Sequence, residues 1–187
     1  MPNTFARQSP FSSRSARVRL IVPLAAAAML LAGCSQLGSL LNPSGDPMAP
    51  EGGELVMTLT GSGTQQFQCV SDKQGRWWKF IAPDVKLTDS AGRVVAHQGP
   101  DFIFQASDGS IASARITGWD KKPKSQADLR DVVFTTRAQG KITGLLTPIR
   151  WVTRNEGKGG QPLTRCSASQ LGSTLKIPFT ATYRLYR

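Results

Sequence analysis

Leu175-Lys176-Ile177-Pro178-Phe179-Thr180-Ala181-Thr182-Tyr183-Arg184-Leu185 decides the fold. Leu175, Ile177, Phe179, Ala181, Tyr183 and Leu185 share one parity. Lys176, Thr180, Thr182 and Arg184 share the other. Successive side chains of a strand point to opposite faces, so this pattern predicts a half-buried strand. Ile177, Phe179 and Tyr183 are expected to point inward.

Shorter runs of the same kind recur upstream. Residues 55–60 are rich in β-branched and apolar side chains and end at Gly61-Ser62-Gly63. Residues 65–70 alternate, with Phe67 and Cys69 on one face, and 72–75 read as a turn. Residues 77–81 are aromatic-rich and stop at Pro83. Residues 85–87 lead into the turn Asp89-Ser90-Ala91-Gly92. Residues 93–97, 102–105 and 111–119 follow, separated by Gly99-Pro100 and Ser107-Asp108-Gly109-Ser110. Lys121-Lys122-Pro123-Lys124 reads as a solvated basic loop. Residues 127–138 are ambiguous, since a turn of helix would fit before Val132-Val133-Phe134. Residues 141–154 read as a strand in which Pro148 demands an edge or a bulge, and 157–162 as a Gly-rich loop. Short strands with turn signals every 8–12 residues or so indicate an all-β chain. The expectation is one domain over 55–187, an antiparallel β-sandwich or a partly closed barrel.

The other end of the chain carries a different signal. Arg7, Arg14, Arg17 and Arg19 precede the apolar run 20–31, which ends at Leu31-Ala32-Gly33-Cys34. A basic segment, a short apolar segment and a small-residue cleavage site make a secretory signal. The apolar run is too short to span a bilayer, which needs about 20 residues. The cysteine after the small residues reads as a bacterial lipobox. Residues 1–33 are therefore expected to be a lipoprotein signal peptide. Residues 34–54, rich in Pro, Gly and Ser, are expected to form a lipidated N-terminus at Cys34 and a flexible tether. Ser35, standing where inner-membrane lipoproteins tend to carry Asp, favours the outer membrane, facing the periplasm.

Several fragments of the β region, in order, resemble the family called domain of unknown function 3455. They are Gly63-x-Gln65-x-Phe67-x-Cys69, then Trp78-x-Phe80-x-x-Pro83 with Leu87, Asp89 and Gly92. His97-x-Gly99-Pro100, Asp108-Gly109-Ser110, Gly159-Gly160-x-Pro162-x-x-x-Cys166 and Ile177-Pro178-Phe179-x-Ala181-x-Tyr183 complete the set. The family usually has Tyr in the Phe67 place. Asp101-Phe102-Ile103-Phe104 stands where an aromatic, often Trp, usually follows the Gly-Pro pair. Asn155-Glu156-Gly157-Lys158 stands where Thr commonly precedes the Gly-Gly pair. The resemblance implies a shared fold over about 55–187 and names no reaction.

With Cys34 lipidated, Cys69 and Cys166 are the two remaining cysteines. An exported protein lies in an oxidising compartment, which favours a disulfide between them. Without partner histidines they make a poor zinc site, and no metal or cofactor is expected. His97 is the single histidine. With Asp108 and Ser110 it has the residue types of a nucleophilic triad, but no Gly-x-Ser-x-Gly elbow surrounds any serine. Asp108-Gly109-Ser110 is equally an ordinary turn. No catalytic residue is assigned; Trp78, His97, Asp108 and Ser110 are carried forward as a ligand-binding set. Trp77, Trp78, Trp119 and Trp151 are candidates for stacking on sugars, and equally for the core.

Charge is the broadest functional signal. Residues 55–187 hold nineteen Lys and Arg against nine Asp and Glu, and from Arg137 onward nine basic residues face one acidic one. Arg150, Arg154, Lys176 and Arg184 are expected on a basic surface. Outside the cytoplasm no nucleic acid partner is expected, whereas peptidoglycan, anionic lipid or polysaccharide fits. The expectation is a non-enzymatic envelope protein, anchored to the membrane through Cys34, that binds or organises an anionic component. The alternative is a carbohydrate-binding module or hydrolase that uses exposed Trp with Asp101 or Asp108.

Overall fold

The computed structural model describes residues 45–120 and 123–187. Cys34, the signal segment and Lys121-Lys122 lie outside the described residues. Eight antiparallel strands run β1 (Leu55–Asp72), β2 (Gly75–Thr88), β3 (Val94–Gln98), β4 (Phe104–Ala106), β5 (Ile111–Trp119), β6 (Val132–Gln139), β7 (Trp151–Gly159) and β8 (Thr174–Tyr186). Each pairs with the next, and β8 closes the ring on β1. Of the two expected architectures, the barrel is the one formed. The ring closes strand to strand, but short β3 and β4 pair only with residues 85–88 of β2 and 111–112 of β5, so the rest of those two edges has no strand partner on that side among the described residues.

The alternation of the C-terminal stretch is realised in β8. Phe179, Ala181, Tyr183 and Leu185 are buried, Lys176 and Thr180 exposed, and Thr182 and Arg184 half-buried. They meet Leu59, Val85, Leu87, Ala96, Phe104, Ala112, Phe134 and Val152 in one apolar interior. Small Ala96, Ala106, Ala112 and Ala181 alternate with large rings, which is how a narrow barrel fills its lumen.

Several boundaries differ from the sequence reading, each for a packing reason. β1 does not stop at Gly61-Ser62-Gly63 but runs straight through it for 18 residues. A Cβ at Gly61 would strike the Tyr183 ring, and one at Gly63 the backbone of Asp84 and Val85. These glycines permit close approach and do not mark a turn. β2 likewise passes through Pro83, beside a register shift at Gln66/Phe67. No helical turn precedes Val132; residues 123–131 are irregular. Residues 140–150 are a loop, not a strand, and the strand begins at Trp151. The Gly-rich stretch begins inside β7.

The barrel has two unlike poles. The N-terminal pole holds the start of β1, the end of β8 and the loop 140–150, whose Leu146 and Ile149 are buried as a plug. Part of the expected tether is also here, and it is not free. Asp46 is buried, accepting from the hydroxyls of Thr153 on β7 and Tyr186 on β8 and from the Met48 N–H at 2.8 Å. Residues 45–54 thus strap the barrel. Glu54 exchanges backbone hydrogen bonds with Arg187, and their side chains form an ion pair at 2.6 Å. The opposite, disulfide pole carries the segments 99–103, 120–131 and 160–173.

Candidate binding site at the disulfide pole

Two devices narrow this pole. Cys69 on β1 is bonded to Cys166, which clips the loop 160–173 over the β1–β2 side. Across the opening, Asp101 and Phe102 stand successively at φ 54 and 57, a left-handed conformation that a bulky residue rarely adopts. It turns the Phe102 ring inward, stacked on Phe80 at 5.8 Å and tilted against Phe134 at 5.5 Å.

The opening that remains lies over β5, β6 and β7. It is a pocket of about 440 Å³ lined by Ile116, Trp119, Arg130, Val132, Arg154 and Gln161. Trp119, Val132 and Arg154 are consecutive cross-strand partners. Trp119 ends β5 and stands 58% exposed at the rim, whereas Arg154 is only 6% exposed. Loop 120–131 is held beside them: the Asp128 carboxylate accepts from the Gly159 N–H at 2.7 Å, and this bond foremost keeps its pKa below the usual range. Arg154 Nη2 donates to the Arg130 carbonyl at 3.0 Å.

Arg154 is therefore not part of a basic surface. It shares inward parity with Val152, and its guanidinium lies inside the wall of the barrel. Burial pushes its pKa down, while the Tyr183 hydroxyl, to which it is hydrogen-bonded, and more distantly Asp131 act the other way. Tyr183, wholly buried, is pushed up to about 12 and stays a neutral hydroxyl. It passes the chain on by donating to Gln98 Oε1 at 2.9 Å. Both ends of this Arg154–Tyr183–Gln98 chain carry an unused donor, since Arg154 Nε and Gln98 Nε2 are buried without a partner. Among the described residues the ion pairs are Arg93–Asp89 and Arg187–Glu54, and neither compensates Arg154.

The other sequence-nominated residues are scattered. His97 is exposed on the outer face of β3, between Lys86 and Gln105. Asp108 and Ser110 form the β4–β5 turn at the far pole. There the Asp108 carboxylate accepts from the Ser110 hydroxyl at 2.6 Å and the Leu145 N–H at 2.7 Å, and Ser110 Oγ accepts from the Leu146 N–H at 3.1 Å. That turn clamps the plug loop; it shares no cavity with His97. Trp78 is half-buried opposite Cys69, and Trp77 is the exposed member of the pair. Asp101 and Asp108 are separated by β4, so they do not make a carboxylate pair. Arg150 and Lys176 are exposed and Arg184 half-buried. Lys176 and Arg184 lie eight positions apart on one strand, roughly 26 Å.

Arg130, Gln98 and Gln161 were not among the nominated residues, whereas Trp119 was one of the four tryptophans considered for stacking on sugars. One signal for Arg154 was available: a charge at the core parity of a strand, two residues after Val152.

The family described as Protein of unknown function (DUF3455) matches residues 50–187. The chain belongs to that family. The match begins inside the strap and covers the whole barrel, including both cysteines of the disulfide. Comparison with curated proteins and with solved structures gave no match.

Proposed function

We propose that this family member is a non-enzymatic, lipid-anchored cell-envelope protein that binds an anionic envelope component at the disulfide pole of its barrel. The anchor is Cys34, and the lipobox with Ser35 supports attachment at the outer membrane, facing the periplasm. The observation that carries the binding reading is Arg154: a buried guanidinium lining an open pocket, with an unused N–H and, among the described residues, no ion-pair partner. A buried charge is costly unless paired, so an anion entering the pocket would supply the missing partner. The surrounding excess of Lys and Arg would draw anions toward the protein at low salt.

The test is co-sedimentation of the full chain, in detergent, with purified peptidoglycan and with anionic vesicles at low and physiological salt. Binding to at least one material is expected, weakened several-fold by salt and by Arg130→Glu at the pocket rim. No binding to either at low salt overturns the reading. The anchor is checked separately: Cys34→Ser should abolish acyl labelling and leave uncleaved precursor.

A further inference from the structure

We infer that the group seated in this pocket is an organic monocarboxylate with an apolar, planar body. The inference rests on the binding reading above and narrows it to a ligand chemistry. The head is set by the buried end of the pocket. Arg154 already donates to the Arg130 carbonyl and is hydrogen-bonded to Tyr183, and its Nε–H is left over. Gln98 Nε2 is a second leftover donor, tied to the same tyrosine through its own carbonyl oxygen. Buried polar groups are almost always paired, so the orphan donor of Arg154, a lining residue of the pocket, points to an acceptor that belongs there. Arg154 is cationic and lines the pocket; a carboxylate oxygen is its natural complement.

One buried cation matches one negative charge. A phosphate dianion would bring a second charge into a site where the other cation among the described lining residues, Arg130, is exposed and screened by solvent. The body is set by the walls. Ile116, Trp119 and Val132 are apolar, and Trp119 offers an indole largely open to solvent with nothing stacked on it among the ring contacts of the described residues. An exposed Trp beside an apolar wall is an anchor for a flat ring. The pocket volume falls in the range of small-molecule sites. Gln161 at the rim is available to a polar substituent.

The experiment uses the full chain in nanodiscs, with empty nanodiscs as blank, and titration calorimetry with 2-naphthoate, 2-naphthamide, acetate and inorganic phosphate. Naphthoate is expected to bind at least about tenfold more tightly than each of the other three. Trp119→Ala, at an exposed site, should weaken naphthoate several-fold and leave the melting temperature unchanged. Arg154→Gln should reduce naphthoate to the naphthamide level; if that variant does not fold, Trp119→Ala decides. Equal binding of naphthoate and naphthamide overturns the carboxylate assignment. Acetate or phosphate binding as tightly as naphthoate overturns the apolar body while leaving anion binding intact. Failure of every anion to bind overturns both.

Discussion

Ser110 shows how a residue that looks catalytic can be structural. Its hydroxyl donates to Asp108 and accepts from the Leu146 N–H, holding the plug across the N-terminal pole. Ser110→Ala should leave that buried N–H without an acceptor and cost about 1–3 kcal/mol, read from the urea midpoint. Asp108 adds a pH dependence. Its pKa is lowered, first by the Ser110 hydroxyl and then by the Leu145 N–H, so the folded chain binds this proton less readily than the unfolded chain. The clamp therefore contributes in full above the ordinary Asp value of about 3.9 and is lost as pH falls through the depressed folded value. Asp108→Asn should flatten the acid limb of stability against pH; an unchanged limb would remove the clamp from the account. Arg154 taught the opposite lesson. Counted with its charge it reads as surface; counted with its parity it reads as interior. Parity gave the right answer, because a strand fixes direction whatever the side chain is.

β8 was legible because its alternation is regular and one face is core from Phe179 to Leu185, with Leu175 and Ile177 on the same parity half-buried. β1 was half legible: glycines that admit the Tyr183 ring and the neighbouring backbone look, in sequence, like the glycines of a turn. The loop 140–150 was misread for a related reason. Leu145, Leu146 and Ile149 give it the composition of a strand, yet they are apolar because they stopper a pole. The disulfide was legible from cysteine number and the expected export, whereas its work was not: it fixes the loop 160–173 beside the pocket. It closes a span of 97 residues, for which the chain-entropy account gives about 4.7 kcal/mol. The double variant Cys69→Ser, Cys166→Ser should lose stability of that order in urea. It should also bind pocket ligands less tightly, because the loop bearing Gln161 is released. An unaltered urea midpoint would show that the bridge adds nothing to the fold.

The barrel as a unit separates its duties by pole. Chain entry, strap, plug and clamp sit at the N-terminal pole; the disulfide, the Phe102 insertion and the pocket sit at the other. That division was not readable in advance, since it depends on which turns fall at which pole, and this follows only from eight strands closing in order. The pairing of Glu54 with Arg187 has its own consequence. The backbone is nearly a circle, cut once at a place the pairing does not require. Joining residue 187 to residue 54 through a short glycine linker and opening the circle between Pro123 and Gln126 should give a circular permutant with the same disulfide and a lowered melting temperature, because the buried Thr153 and Tyr186 hydroxyls lose the Asp46 carboxylate. Circular dichroism and thiol titration would check it. A permutant that fails to fold would mean that the strap of residues 45–54, cut loose from its place before β1, holds the ring shut.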